Sequence, residues 1–143
     1  MPLLLEIVTP EELAYSDTVD SVTLPGIEGE LGVLPHHAPL VSMLGVGELR
    51  IRKGGAEESF AIVGGFLQVR PDRVVVMAET ADIASEIDLE TAQAARREAE
   101  RALEGAGPTD AASLAAARAS LQQALLRIRV AERRHREGPR RRG

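Results

Sequence analysis

Three histidines, scattered carboxylates and an arginine-rich end are the parts of this 143-residue chain whose types could do chemistry. His36 and His37 are adjacent, so on a strand their side chains leave opposite faces and cannot easily share a metal. His135 stands far away in the basic end, so no ligand set assembles by spacing and no metal is expected. Cysteine is absent, which removes disulfides, thiolate nucleophiles and the commonest structural zinc sites together. Neither a G-x-S-x-G elbow nor a P-loop spacing occurs, leaving an independent catalytic function without nucleophile or phosphate cradle. What remains is charge. Arg118 to Gly143 carries nine arginines against two glutamates, a balance of +7, while Met1 to Ala84 stands at -8 and Ser85 to Ala117 at -4. The end of the chain therefore reads as an electrostatic hook for an acidic surface. The plainer reading of the same residues is a solvated, frayed helix end.

The elements that must carry these groups change period once. With 44% hydrophobic residues the chain can bury a core, and with two Phe, one Tyr and no Trp that core is aliphatic. Nothing in it offers a platform for stacking bases, which disfavours single-strand nucleic-acid binding. Leu3 to Val8 is a short apolar run broken by Glu6 with no basic residue ahead of it, neither a signal peptide nor a spanning helix, so a place on the cytoplasmic side is expected. Up to Ala84 the pattern is short β runs: Leu3 to Val8, Val19 to Leu24, Glu48 to Lys53, Ser59 to Val63, Phe66 to Arg70 and Arg73 to Ala78. Leu49, Arg50, Ile51 and Arg52 alternate as a strand with one wet face, and Gly54-Gly55 reads as a hairpin. Six short strands at close spacing predict an antiparallel β-sandwich or flattened barrel over residues 1–84.

From residue 85 onward the spacing is helical. Asp88 is placed to cap a first helix with an inner stripe of Leu89, Ala92, Ala95, Ala99, Ala102 and Leu103, and Gly105-Ala106-Gly107-Pro108 ends it. Thr109 or Asp110 caps a second helix on which Leu114, Ala117, Leu121, Ala124, Ile128 and Ala131 keep heptad spacing. Residues 85–143 thus form an antiparallel two-helix hairpin with arms of roughly 25 and 40 Å by rise per residue. The stripes are mostly alanine, which buries far less than the roughly 1.5 to 3 kcal/mol of a leucine. Docking is then marginal, and a partner preferring one form by a few kcal/mol can shift it. The alternative is a hairpin that stays folded and merely covers the sandwich. Pro139 stops the second helix, leaving Arg140 to Gly143 as a loose end.

Pro25 to Leu40 (PGIEGELGVLPHHAPL) sets Gly26, Gly29 and Gly32 three apart and brackets a stiff turn with Pro35 and Pro39. The pattern G-x-x-G-x-x-G-V-L-P-x-H-x-P-L resembles the signature of the epsilon subunit of bacterial F-type ATP synthases. Gly64 to Val69 (GGFLQV), Val74 to Ala81 (VVVMAETA) and Ile87-Asp88 extend the resemblance over nearly the whole chain. The resemblance implies a non-catalytic subunit of the central stalk, peripheral on the cytoplasmic side of the cell inner membrane. It couples the proton-driven rotor ring to the catalytic head, and its helical tail inhibits ATP hydrolysis.

By that resemblance Glu30 and Gly32 meet the loops of the ring's c subunits and His37 meets the gamma subunit. Read without it, Glu30 is a solvated turn residue and His37 a packing histidine. The extended tail would contact the catalytic beta subunits through Arg127, Arg129, Arg133 and Arg134. Some similar proteins also bind ATP through an I/L-D-x-x-R-A motif and arginines on the second helix. Ile87, Asp88, Ala92 and Arg127 fit that set, while Thr91 and Gln123 replace two cations, so regulatory ATP is doubtful and no other cofactor is expected. Two other readings stay open: a β domain whose arginine tail binds nucleic acid, and a free ATP-sensing module.

Overall fold

The computed structural model describes residues 3–105 and 110–137, with side chains through Arg133. The predicted turn at Ala106 to Thr109, the side chains of Arg134 and His135, and the end from residue 138 lie outside the described residues.

Seven strands form the N-terminal sheet: Leu3–Val8 (β1), Leu13–Val19 (β2), Ser21–Gly26 (β3), Gly29–Val33 (β4), Leu40–Lys53 (β5), Ala56–Arg70 (β6) and Arg73–Ile83 (β7). Their order is β2-β1-β7-β6-β5-β3-β4, with β2 and β4 as unjoined edges, so the barrel is not closed. Pairing is antiparallel except between β1 and β7, which run parallel. That corrects the all-antiparallel expectation: the two end strands of the domain meet side by side, a relation no local run reveals.

The predicted runs Ser59 to Val63 and Phe66 to Arg70 are halves of the single strand β6. Inward residues on β6 change parity from Phe60 and Ile62 to Leu67 and Val69, and on β5 from Leu44 to Leu49 and Ile51. The long strands therefore turn over midway and pass from one layer of the sandwich to the other. Gly65 allows this on β6. Its φ is +118, and a Cβ there would run into the Met77 carbonyl oxygen. The core between the layers is aliphatic around Phe60, whose ring meets Tyr15 edge-on at 5.6 Å. β2 and β4 escaped the sequence reading because edge strands expose one side. Their segments LAYSDTV and GELGV carry little of the apolar pattern.

A single 3₁₀ turn (Ala84–Glu86) leads to two helices, Leu89–Gly105 (α1) and Ala111–Glu137 (α2). Asp88 caps α1, accepting from the Glu90 amide at 3.1 Å and the Thr91 hydroxyl at 2.8 Å, and Asp110 caps α2 through the Ser113 amide at 3.2 Å. The α1 stripe is narrower than predicted: Ala92 and Ala99 are buried, whereas Ala95 and Ala102 are exposed. Arg96, half-buried, falls on the same heptad line 92-96-99-103, with its Nε 3.9 Å from Glu100. On α2 the predicted Ala117, Ala124, Ile128 and Ala131 are buried, with Leu114 and Leu121 half-buried, and Leu126 and Val130 add a second stripe. With Ala61, Ala84 and Ile87 they form a separate cluster that seats the hairpin on the sheet. α1 packs on α2, and α2 makes the contact with β5, β6 and the 3₁₀ turn.

Candidate functional site

Three surfaces bring the candidate residues together. The first is the wet face of β5, where Glu48, Arg50 and Arg52 follow one another every second residue. Arg50 reaches across β3 to Glu30 on β4 and meets both its carboxylate oxygens, at 3.1 and 3.4 Å. The same guanidinium lies 3.7 Å from Glu48 Oε1. Arg133 of α2 also meets that oxygen, at 2.5 Å, and puts its second arm 3.6 Å from Glu57 on β6. Arg52, 3.9 Å from Glu57, completes an alternating ladder of charge from the sheet edge to the tail. Glu48 and Glu57 are only 14% and 16% exposed in their side chains, against 60% for Glu30. The inner rungs are therefore less screened by solvent than the outer one.

Beside the ladder an open cleft of about 310 Å³ lies between Pro25, Glu30, Gly47, Arg50 and Arg129. Gly32 is exposed on β4, and a Cβ there would touch nothing within 4 Å. Arg127 sits with Nε 3.4 Å from Asp82 on β7. Two of the arginines expected to reach a catalytic head, Arg127 and Arg133, thus engage carboxylates of the chain's own sheet, and Arg129 is exposed. The fourth, Arg134, has its side chain outside the described residues.

The second surface is the histidine turn. His36 and His37 stand in the loop between β4 and β5, within the stiff turn expected between Pro35 and Pro39. The His37 amide donates to the Leu34 carbonyl at 3.2 Å with Pro35 second and His36 third at φ +67, the geometry of a type II turn. The His36 amide donates to Pro71 at 2.7 Å and pins the loop to the β6–β7 turn. His37 is half-buried, and its Nδ1 donates to the Ala38 carbonyl at 2.7 Å in the matching tautomer, leaving Nε2 as the other polar atom of the ring.

The third surface was missed by sequence reasoning. Val8, Met77, Phe66 and Met43 are direct register partners across β1, β7, β6 and β5. They form one apolar row on the outer face, with Met43 and Phe66 each 50% exposed, Met77 47%, and Val41 beside them 70%. A groove of about 500 Å³ runs along it. The signal was present in Leu40 to Leu44, where apolar residues fill both parities, as in a strand covered on two sides.

Asp88 and Arg127 are not joined by an ion pair or hydrogen bond among the described residues. The Thr91 hydroxyl, more than any backbone donor, holds the Asp88 carboxyl below its ordinary pKa, against a smaller opposing effect of desolvation. Thr91 thus supports the cap from the place where a phosphate-binding arginine would stand. Among the described residues no three His, Asp or Glu side chains come together to hold a metal.

A family model of the ATP synthase delta/epsilon chain β-sandwich domain matches residues 2–84, and one of its long α-helix domain matches residues 85–132. The chain belongs to the ATP synthase delta/epsilon family. It is 49% identical to the ATP synthase epsilon chain of Dehalococcoides mccartyi over 133 residues, 92% of this chain and 94% of the relative. With that of Syntrophobacter fumaroxidans it shares 51% over 128 residues, 90% and 94% of the two chains. Among solved structures, a chain of the Euglena gracilis mitochondrial ATP synthase OSCP/F1/c-ring assembly superposes with a TM-score of 0.72 at 27% identity, covering 85% of this chain and 76% of that one. A chain of the Tetrahymena thermophila mitochondrial central stalk and c-ring shares the fold, with a TM-score of 0.58 at 15% identity over 92% and 97% of the two chains. The delta/epsilon membership makes this a non-catalytic stalk subunit of an ATP synthase, with catalysis in other chains of the complex. No described helix is long and apolar enough to cross a membrane.

Proposed function

We propose that this delta/epsilon chain couples the rotor ring to the catalytic head and restrains ATP hydrolysis through its hairpin. The observation that carries the reading is the exposed apolar row Met43-Phe66-Met77. A contiguous apolar surface of this kind on a polar-faced sandwich fits a protein partner, and in the F-type stalk that partner is the gamma subunit. His37, in the turn that leads into β5, offers Nε2 for a polar contact with the same partner. Glu30 and Gly32, exposed on edge strand β4, serve the ring's c subunits: the carboxylate pairs with basic or polar loops, and the missing side chain permits close approach. The complex holds the chain at the cytoplasmic side of the inner membrane as a peripheral subunit.

In the docked form two tail arginines are occupied by Asp82, Glu48 and Glu57. Undocking would present Arg127, Arg129, Arg133 and Arg134 to acidic surfaces of the catalytic beta subunits. Regulatory ATP at Asp88 and Arg127 is the weaker part of the reading, since both already have partners within the chain. Titration of the full chain with ATP tests it, and an affinity weaker than millimolar removes it.

The principal test is reconstitution. Phe66→Ala, at a half-exposed position, leaves the fold intact and weakens capture of gamma by tenfold or more; undiminished capture would overturn the gamma assignment. A cysteine pair across the seam at Ala61 and Leu126, in a chain with no native cysteine, locks the hairpin down. Oxidation should then raise ATP hydrolysis by the assembled complex, and reduction should restore restraint.

A further inference from the structure

One oxygen is shared by two guanidiniums. Glu48 Oε1 accepts Arg133 from the docked tail at 2.5 Å and stands 3.7 Å from Arg50. Arg50 is held back by its fork with Glu30, whose two oxygens lie nearer at 3.1 and 3.4 Å. We propose that Glu30 and the tail latch are coupled through Arg50, so that a partner engaging Glu30 favours undocking of the hairpin.

The sign follows from charge. With Glu30 free, its carboxylate compensates Arg50, and Glu48 is left to hold Arg133. Once a basic or polar partner takes Glu30, Arg50 loses its nearer anion and closes on Glu48. A second cation at that oxygen lowers its attraction for Arg133 and brings two like charges together. The undocked hairpin has no guanidinium there, so only the docked state is penalised, which is the differential interaction a switch requires. By reciprocity, undocking leaves Glu48 to Arg50 alone, loosens Arg50 from Glu30 and readies Glu30 for its partner. Glu57 steadies the second arm of Arg133 and limits the effect to partial release. The functional meaning rests on the ring contact proposed for Glu30, whereas the coupling itself lies within this chain and can be measured without the ring.

Val130 is 1% exposed in the docking seam, so a cysteine placed there in this cysteine-free chain reacts with a thiol reagent at a rate set by the undocked fraction. In full-length V130C at low salt, Glu30→Gln should raise the labelling rate about twofold to fivefold, the range of a partly exposed ion pair. Arg50→Met should lower the rate and abolish the response to Glu30→Gln, and high salt should shrink that response. Hydrogen exchange of α2 amides in chains that keep Val130 should give the same order. An unchanged rate in Glu30→Gln, or an equal rise with Arg50 removed, overturns the coupling. If labelling rises while E30Q still binds the isolated c-ring normally, the coupling stands and the ring assignment of Glu30 falls.

Discussion

His36 holds φ +67 where a type II turn favours glycine, and it does so beside two prolines and the Pro71 anchor that fix the loop. An L-residue in that region costs about 1 to 2 kcal/mol. His36→Gly should therefore raise stability by about 1 kcal/mol once the extra freedom of unfolded glycine is subtracted, readable as a higher denaturant midpoint at constant slope. The caps give a second residue-scale test. Asp88 and Asp110 both titrate below the ordinary 3.8, chiefly through the side-chain hydrogen bonds from Thr91 and Ser113. Their contribution is complete above that value and is lost as pH falls through the lowered ones. Helicity by circular dichroism should drop in this acid range. Asp88→Asn with Asp110→Asn, which keeps both caps neutral, should make the drop shallower.

At the scale of elements, α2 is seated by few groups. Leu126 and Val130 are 2% and 1% exposed against Ala61 and Ala84, and the charges around them are ion pairs that keep partial contact with solvent. Truncating a buried leucine costs about 2 to 5 kcal/mol, whereas a partly solvated pair such as Arg127 with Asp82 is worth about 1 kcal/mol. Leu126→Ala should therefore undock the hairpin with the sheet intact, and Arg127→Gln should barely move it. Hydrogen exchange along α2 distinguishes the two. The weak docking expected from the alanine stripes concerned the seam between helices, while the stripe that touches the sheet is Leu126 and Val130. Both were readable as apolar residues, but their spacing falls off the heptad line and gave no reason to assign them a second face.

For the whole molecule, among the described residues the sandwich core contains no helical residue and the hairpin cluster draws only Ala61 from the strands. The two parts should melt separately, with the hairpin first. Tyr15, the sole tyrosine, lies against Phe60 inside the sandwich and reports the sheet by fluorescence, while far-UV dichroism is dominated by the helices. Two transitions that do not coincide are expected, and a chain ending at Glu86 should keep the Tyr15 transition unchanged. Coincident curves would mean one cooperative unit.

The order of strands before helices, the Gly54-Gly55 hairpin, the Asp88 cap and the heptad face of α2 were determined by the sequence, because each follows from neighbours within a turn or a strand. The GELG and PHHAPL segments likewise carried the family resemblance and the candidate residues Glu30, Gly32 and His37. The parallel meeting of β1 and β7, the turning over of β5 and β6, the row Val8-Met77-Phe66-Met43 and the ladder from Glu30 to Arg133 were decided by tertiary structure. All but the turning over join residues far apart along the chain, and that change of face is fixed by which layer each half of the strand packs in, so all are set by how whole layers pack. An arginine at 133 is a hook in the sequence; only the folded sheet, which brings Glu48 and Glu57 beneath it, makes it a latch.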